Sequence, residues 1–494
     1  MIEPELPLEV ISTDLSDQEQ EVAAKLSWRI TQAWPFLEER ELYYDGEQRM
    51  RNLGIAVPPE LEHLRTAAGW PGVVVDTIDE RLDVAGFRIG DSPNADQQMW
   101  DIWTQNRMDN EAGLAHLDAL LFGRGFVMVG TRADGSPLIT VESPQNMAAD
   151  FDGATHQVKA ALQQYRFWGM QAANLYLPNE TVRLLRHKGG SWKVDNRDQH
   201  NLGRCPVVML ANRARSNDRY GRSEITPEVM SWTDAACRTL LGMEISREFF
   251  AAPQRYILGA TEEAFQDTDG NPLNAWETYV GRVLALERDE EGNLPTVGSF
   301  QATDPAAYVT IMQGYTRLVS SRTGVPQHLL GWSADNPTSA DSVQATEGAL
   351  NRRAKRRMHA FGPEWAQVME LALTVENNGQ PLPDVHMIET LWAPAETPTP
   401  LTTSQAILAQ VQMGALPPTS DVTLEKLGYT AAERLRIAAD RAREAAKTNL
   451  DAIADALSSG SLAKELGADA GNADPQGAAV TAQANAPEPV PAGH

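Results

Sequence analysis

Apolar residues near the start of the chain recur at every fourth position, which is the spacing of one helix face. This pattern is carried by Val22, Leu26, Ile30 and Trp34. It predicts an amphipathic helix within residues 16–52, with Asp14 or Ser16 as the N-cap. Pro35 lacks a backbone donor, so we expect it to break this helix, which would restart over Leu37–Leu53.

Two further stretches before residue 125 have helical character. Residues 73–82 begin with a short apolar run and continue in a helix-like pattern, and residues 96–122 form a longer helix-like stretch. The apolar contacts expected in the longer stretch are Trp100, Trp103, Leu114, Leu117 and Leu121. The pattern therefore predicts an N-terminal region that is mainly helical.

The periodicity then changes to that of β-strands. Gly125–Gly130 and Leu138–Glu142 flank Asp134-Gly135, a pair typical of a hairpin turn. Further strands are predicted at Ala160–Phe167, Thr181–Arg186, Ser191–Val194 and Val207–Leu210, with Gly189-Gly190 turning the middle pair. Residues 125–210 are therefore predicted to form an antiparallel region within an α+β fold.

Three later helices have clear start and stop signals. The first is capped by Thr226, continues with Pro227 and runs to about residue 250. The second is capped by Asp304 and ends at Gly324-Val325-Pro326. The third covers 339–377 and contains Gly362-Pro363, where a kink is expected.

The first two of these helices enclose a β-rich insert, which predicts a helical hairpin carrying a small domain at its tip. The insert's expected strands are Arg255–Leu258 and Val283–Glu287. A loop rich in helix-breaking residues, Gly331–Thr338, joins the second helix to the third. Residues 381–400 are rich in Pro and Thr and predict a linker.

The C-terminal part is predicted to be helical and then disordered. Thr403–Met413 and Thr430–Leu457 have helical patterns. Residues from 468 onward contain no aromatic side chain, Lys or Arg. Such a stretch has little apolar surface to offset its ordering entropy, so we predict a disordered tail over 467–494.

Composition narrows the class of protein. The 494 residues include 42 Lys and Arg against 67 Asp and Glu, a formal charge of −25. This balance argues against a protein that wraps nucleic acid by neutralising phosphates, although it does not exclude one that lets nucleic acid slide past. Two cysteines cannot build a disulfide framework, which favours a reducing compartment. Neither a signal peptide nor a membrane-spanning run is predicted.

Motifs for catalysis are sparse, and we predict no cofactor. The sequence has no phosphate-binding GxxxxGK[ST], no GxSxG, no HExxH and no CxxC. Asp76, Asp79 and Glu80 would share one helix face, as in a metal-dependent nuclease. The alternative for these acids is a solvated helix start. Each of the nine scattered histidines is interpreted separately, as a surface or hydrogen-bonded residue rather than a ligand.

Two other features could serve either structure or binding. A basic cluster in this acidic chain consists of Arg352, Arg353, Lys355, Arg356 and Arg357. It is interpreted either as a contact with a subunit or with DNA, or as a solvated helix face. Trp332, in the loop between two helices, is either a buried anchor or an exposed ligand contact.

Several short motifs appear in the order found in one known family. They are Tyr43-Tyr44-Asp45-Gly46-Glu47, Leu53-Gly54, Pro58-Pro59, Trp70-Pro71, Val73-Val74-Val75-Asp76, Glu80-Arg81-Leu82-Asp83, Gly86-Phe87, Gly324-Val325-Pro326, Leu330-Gly331 and Ser339-Ala340. With the helix, insert, helix order, they make residues 26–378 resemble portal proteins of tailed bacteriophages, particularly siphophages of actinobacteria. Gly69 departs from the pattern, since the family commonly has Asn there.

The resemblance implies a segment-by-segment organisation. It predicts a wing with N-terminal helices, two stem helices enclosing a clip, a tunnel loop, a long kinked tunnel helix, a linker, a helical crown and the tail. In that description the boundaries are 1–225 for the wing region, 226–250 and 304–326 for the stem, 251–303 for the clip, 327–338 for the loop, 339–380 for the long helix, 381–400 for the linker, 401–466 for the crown and 467–494 for the tail.

The resemblance also implies function, partners and site residues. Portal proteins form a ring, usually of twelve subunits, at one capsid vertex, and double-stranded DNA passes through it during packaging and ejection. The implied partners are further copies of the chain, the terminase large subunit, the head–tail adaptor, the major capsid protein and a scaffolding protein. The implied locations are the virion and, during assembly, the host cytoplasm.

The site residues implied by the resemblance fall in two segments. Those assigned to the tunnel loop and DNA channel are Trp332, Ser333, Asp335, Asn336, Pro337, Thr338 and Ser339. Those assigned to clip docking are Glu262, Glu263, Asp267, Asp269, Arg288, Asp289 and Glu290. Charged residues in turns are also typical of plain surface charge, and that interpretation stays open for the clip.

The charge of the chain agrees with a conduit for DNA. An acidic wall repels the phosphate backbone, so the duplex can move without breaking a cation contact at every step. Twelve copies would carry roughly −300 formal charges, which requires paired or apolar subunit contacts. We therefore expect Arg352–Arg357 to supply part of that pairing. A metal-dependent nuclease and a minor capsid shell protein remain the alternatives.

Overall fold

The computed structural model describes thirteen stretches of the chain. They are residues 12–48, 66–90, 95–187, 190–250, 255–258, 296–299, 306–331, 340–380, 387–396, 400–429, 434, 436–444 and 446–447. The chain divides into two compact units, Met1–Thr397 and Pro398–His494.

The described residues form helices together with antiparallel sheets. The helices are α1 Asp17–Tyr44, α2 Trp70–Asp79, α3 Gln97–Gln105, α4 Met108–Phe122, α5 Pro227–Phe250, α6 Ala306–Thr323, α7 Ala340–Glu376, α8 Pro400–Gln412 and α9 Asp421–Lys426. The strands are β1 Val84–Ile89, β2 Arg124–Thr131, β3 Pro137–Glu142, β4 Met147–Phe151, β5 Val158–Phe167, β6 Met170–Tyr176, β7 Thr181–Arg186, β8 Lys193–Asp198, β9 Val207–Ala211, β10 Arg255–Leu258, β11 Thr296–Ser299 and β12 Ile388–Trp392. This composition confirms the α+β class predicted from the sequence.

Helix α1 begins at a complete capping box and passes through its proline. The Ser16 side chain accepts from the Glu19 backbone N–H, and the Glu19 carboxylate accepts from the Ser16 N–H. The prediction of a break at Pro35 is wrong, because the helix continues to Tyr44. Pro35 lies on the exposed side, while Leu37 beyond it is buried in the main core and holds the second half in place.

The predicted helix over 96–122 is divided in two. Arg107, between α3 and α4, has a φ of 55°, the left-handed region, which no residue inside an α-helix adopts. Asn106 stabilises this junction, because its side chain donates to the Ile102 carbonyl and accepts from the Ile139 N–H. The periodic pattern ran through the junction because both helices bury side chains in the same core.

Antiparallel pairing dominates the sheets of the first unit. A three-stranded sheet has the order β3-β2-β9, and a five-stranded sheet runs in sequence order from β4 to β8. The β2–β3 hairpin and its Asp134-Gly135 turn are confirmed, with Thr131 paired to Pro137. Strands β4 and β6 were not predicted. The continuous buried run of β4 and the irregular burial of β6 both lack the strict alternation that indicates a strand.

The prediction of a linker over 381–400 is wrong for residues 387–396. Strand β12 lies there and pairs antiparallel with β1, a strand that the sequence also left unassigned. The Thr390 hydroxyl donates to the Gly362 carbonyl of α7 at 2.8 Å. Proline and threonine suggest a linker by composition, but the alternation of buried and exposed side chains in β12 makes it a packed edge strand.

Helix α7 is at the centre of the main core. It contacts β2, β3, β9 and β12 as well as α2 and α3. Thirty-seven residues at about 1.5 Å each make it on the order of 55 Å long. The helix continues through Pro363, and the kink expected there stays a prediction.

Helices α5 and α6 form an antiparallel pair that encloses the described part of the insert. The Ser246 and Tyr308 hydroxyls are 2.7 Å apart near one end of the pair. Arg322 and Glu228 form an ion pair of 3.6 Å at the other end. Strands β10 and β11 pair with each other, which confirms Arg255–Leu258, whereas Val283–Glu287 lies outside the described residues.

The second unit contains short helices. Helix α8 confirms the predicted helix over Thr403–Met413, and α9 was not predicted. Residues 436–444 are helical, within the predicted helix over Thr430–Leu457, and the predicted tail over 467–494 lies outside the described residues. None of the helices that the structure describes is long and apolar enough to cross a membrane.

Candidate functional site

The basic cluster on α7 divides into an exposed group and a buried group. The side chains of Arg352, Lys355 and Arg356 are exposed, whereas Arg353 is half-buried and Arg357 is buried. Five cations within six helical residues cannot share one face, since successive residues are rotated by about 100°. The cluster therefore has two roles that the sequence could not separate.

Arg357 is committed to its own chain by a buried ion pair. Its guanidinium donates to the Glu224 carboxylate, and the two side chains are only 9% and 2% exposed. Glu224 also accepts from the Asn212 amide at 3.0 Å and lies 3.5 Å from the Arg213 guanidinium. This network ties α7 to the segment between β9 and α5, so Arg357 is not available to a neighbouring subunit.

Arg353 is held in a similar way. Its guanidinium donates to the Arg322 carbonyl at 2.7 Å, near the end of α6. Burial lowers the pKa of Arg353, with Glu224 opposing that shift. The expectation of a subunit or DNA contact stays a prediction, and Arg353 and Arg357 support it least because both donate within their own chain. A local sequence run cannot show which of its charges point inward.

The exposed members of the cluster have few internal partners. Lys355 pairs with Glu396 at 2.7 Å, and both side chains are at least half exposed, so this pair contributes little to stability. Within the part of the chain that the structure describes, Arg352 and Arg356 have no carboxylate partner. These two arginines remain free to contact another molecule.

The acidic residues at the end of α2 lie in different surroundings. Asp76 accepts a hydrogen bond from the Tyr44 hydroxyl at 2.8 Å, and Glu80 is exposed beside Arg81. One oxygen of Asp79 is buried without a hydrogen-bond partner. Among the residues that the structure describes, no group of three or more His, Cys, Asp and Glu could hold a metal ion.

His116 is a hydrogen-bonded core residue, as the structural interpretation of the histidines expects. It is buried, accepts from the Trp365 indole N–H at 2.8 Å and stacks on Phe361. Burial lowers its pKa to about 3, so the ring is neutral and can serve as this acceptor.

Three carboxyl groups should make stability depend on pH. Burial raises the pKa of Asp79, Asp118 and Glu364 to about 7 each. An acid whose pKa is higher in the folded state favours folding when protonated, so its contribution falls as pH rises from about 4 to 7. We expect the D79N/D118N/E364Q triple variant to gain thermal stability over the wild type across that range, with a constant difference above it.

Differential scanning calorimetry of both proteins from pH 4 to pH 8 measures this difference. E80Q is the matched control, since Glu80 is exposed. A difference that does not grow with pH would contradict the buried, protonated state of the three carboxyls.

The remaining predicted site residues lie outside the described residues. These are the loop residues Trp332, Ser333, Asp335, Asn336, Pro337, Thr338 and Ser339, and the clip residues Glu262, Glu263, Asp267, Asp269, Arg288, Asp289 and Glu290. Their expected roles stay predictions.

The structure adds a feature that the sequence did not reveal, a cavity of about 540 Å³ with arginines in its wall. It lies between α1, the segment that follows β9, the start of α5 and the end of α6. The six arginines are Arg40, Arg124, Arg213, Arg215, Arg222 and Arg322. Because they are spread over 283 positions, no local run of sequence could have indicated them.

Comparison with known proteins assigns the family. The sequence model of the family described as phage portal protein, SPP1 Gp6-like, matches residues 29–444. The portal protein of Mycobacterium phage D29 is 36% identical over 406 residues, which are 79% of this chain and 82% of that protein. The portal protein of Mycobacterium phage L5 is 36% identical over 369 residues, which are 72% of this chain and 75% of that protein.

Solved structures give weaker similarities. A chain in the neck of a native GTA particle, computed with C12 symmetry, has a TM-score of 0.42 and 15% identity, and covers 80% of this chain and 99% of its own. A chain in the neck of an empty GTA particle, computed with C6 symmetry, has a TM-score of 0.38 and 16% identity. The match covers 76% of this chain and 94% of that chain.

The chain belongs to the phage portal protein family, SPP1 Gp6-like. The function predicted from the sequence is thereby confirmed: this is a phage portal protein, a structural component of the virion and not an enzyme. A role in a ring is consistent with this family, and the nuclease alternative is not favoured.

Proposed function

We propose that the chain assembles into a ring of twelve copies around an axial channel that passes double-stranded DNA during packaging and ejection. The observation that carries this proposal is the family match over residues 29–444. The net charge of −25 per chain supports it, because an acidic ring repels the DNA backbone and lets the duplex move.

Helices α5 and α6 are proposed as the stem, within 226–250 and 304–326. Their antiparallel pairing supports this role, since a helical hairpin can line a channel and carry an insert at its tip. Helix α6 also exposes Val309, Ile311 and Leu318, the last two being 46% exposed and seven residues apart on one face. An apolar stripe of this kind suits packing against the stem of a neighbouring subunit.

The other segments are assigned by position. We propose 1–225 as the wing region, 251–303 as the clip, 327–338 as the tunnel loop, 339–380 as the tunnel helix, 401–466 as the crown and 467–494 as the C-terminal tail. The clip would dock the terminase large subunit and later the head–tail adaptor, and the ring would contact the major capsid protein and a scaffolding protein. Assembly would take place in the host cytoplasm, and the ring would end at the capsid vertex.

The exposed residues Arg352, Lys355 and Arg356 are proposed to contact an acidic surface of an adjacent subunit. Arg352 and Arg356 support this role, because their charges are not neutralised within the described residues of their own chain. An unchanged ring yield for the R352E/R356E double variant would contradict the contact.

Native mass spectrometry of the purified full chain tests the ring. We expect a closed species of about twelve times 54.1 kDa. A monomer under every assembly condition, or an open series of sheet-like oligomers as expected of a shell protein, would contradict the proposal.

Deleting residues 335–338 should separate channel function from assembly. If this segment lines the constriction, the deletion is expected to leave the ring mass unchanged and to reduce nuclease-resistant DNA per particle by at least tenfold. Deletion of four residues from 467–494 is the matched control. Normal packaging by the loop deletion would remove the segment from the proposed channel.

A further inference from the structure

The arginine-lined cavity carries far more positive than negative charge. Among its lining residues that the structure describes, Glu228 is the one acid facing six arginines. Arg322 pairs with Glu228 at 3.6 Å, Arg222 with Asp218 at 3.6 Å, and Arg213 lies 3.5 Å from Glu224. These long contacts leave much of the cationic potential unneutralised.

The other three arginines are not held in ion pairs with the acids that the structure describes. Within the described part of the chain, Arg40, Arg124 and Arg215 form no ion pair with a carboxylate. Arg124 instead lies over the Tyr220 ring, with its guanidinium carbon 5.6 Å from the ring centre. Burial lowers the pKa of Arg40 and of Arg124 below the usual arginine value. Arg215 is exposed, and Asp218 and Glu39 act on Arg124 and Arg40 without forming an ion pair with them. Partly desolvated cations without a paired anion are costly, so Arg40 and Arg124 favour an added negative group.

The shape and the apolar wall of the cavity indicate what kind of anion it takes. The cavity volume of about 540 Å³ is many times the roughly 30 Å³ that one water molecule occupies in the liquid, so the cavity has room for a few side chains. A concave site of this size suits individual side chains better than a DNA duplex, whose phosphates lie on a convex surface. Phe36 also lines it and is 62% exposed, which suits a protein segment, since aromatic residues and Arg are enriched at protein interfaces.

We propose that this cavity receives a carboxylate-bearing segment of a neighbouring copy of the chain, an inference that rests on the ring proposed above. The partner's chemistry follows from composition, because each copy has 25 more acidic than basic residues and copies in a ring would otherwise repel one another. Arginine forks of one subunit hold carboxylates of the next, and this pairing offsets part of the repulsion.

Zero-length cross-linking tests this contact directly. The R40K and R215K variants keep the positive charge and introduce an amine that a carbodiimide couples to a carboxylate in contact. Rings are reassembled from equal amounts of unlabelled and ¹⁵N-labelled chains. We expect peptides containing residue 40 or 215 to be linked to Asp or Glu peptides of the other isotope. R219K is the matched control, since Arg219 is exposed in the same loop outside this cavity, and its yield should be at least fivefold lower.

The cross-links distinguish failure of this inference from failure of the ring. Rings in which residues 40 and 215 link only within one isotope, or not at all, would contradict the cavity contact alone. Mixed-isotope links in a smaller assembly would support the contact and contradict the twelve-copy ring. An absence of both rings and mixed links would contradict both proposals.

Charge reversal gives a second, independent measurement. The R40E/R215E double variant is expected to lower the fraction of chain in rings at least tenfold at about 0.15 M salt. R219E should leave it unchanged, and monomer melting temperatures identify any variant that is misfolded. A normal ring fraction combined with lost retention of a labelled DNA duplex would overturn the proposal and assign the cavity to phosphate.

Discussion

Replacing Arg357 with alanine is expected to lower the free energy of unfolding of the chain by about 3–5 kcal/mol. The substitution leaves the Glu224 carboxylate, which is 2% exposed, without its charged partner on α7. Asn212 and the more distant Arg213 remain, but neither replaces a hydrogen-bonded guanidinium. Chemical denaturation of the purified chain measures the difference.

The neighbouring residue provides the control. Arg356 is exposed, so R356A is expected to change the unfolding free energy by no more than about 0.5 kcal/mol. An R357A/E224Q double variant should lose less than the sum of the two single variants, because it removes the unpaired charge. Equal effects of R357A and R356A would show that the buried ion pair does not exist.

Replacing Trp365 with alanine is expected to lower the free energy of unfolding by about 3–5 kcal/mol as well. Trp365 is fully buried, and its ring meets Trp103 edge-on at 5.2 Å between ring centres. Its indole N–H is the donor to His116, so the alanine leaves both a cavity and an unpaired histidine nitrogen.

The matched control is the same substitution at Trp168, which is 88% exposed. W168A should stay within about 0.5 kcal/mol of the wild type. W365F keeps most of the ring volume and is expected to fall between the two. A loss below about 1 kcal/mol for W365A would contradict the central position of α7 in the core.

Local signals predicted the elements that local chemistry determines. The hairpin follows from its Asp134-Gly135 turn and the helix from Pro227 at its first position, and both are present. The break predicted at Pro35 was wrong because packing on both sides of this residue maintains the helix despite the lost donor. Strand β12 was predicted as part of a linker because it pairs with β1, about 300 positions away, and composition does not indicate such a pairing.

The candidate sites show the same limit more sharply. The run Arg352–Arg357 gave the position of a charge cluster, but only tertiary packing separates the buried Arg357 from the exposed Arg356. The cavity around Arg40 and Arg322 brings together residues from distant elements and left no pattern in the sequence. The family, in contrast, was predictable, because a set of short motifs in order is itself a sequence property.

Electron micrographs of the purified full-length protein test the central claim, that copies of this chain surround an open channel. Single particles are averaged without imposed symmetry, and the end-on views are inspected. The account predicts closed rings with an axial hole wide enough for a DNA duplex. Solitary particles under all assembly conditions, or discs with a filled centre, would contradict it.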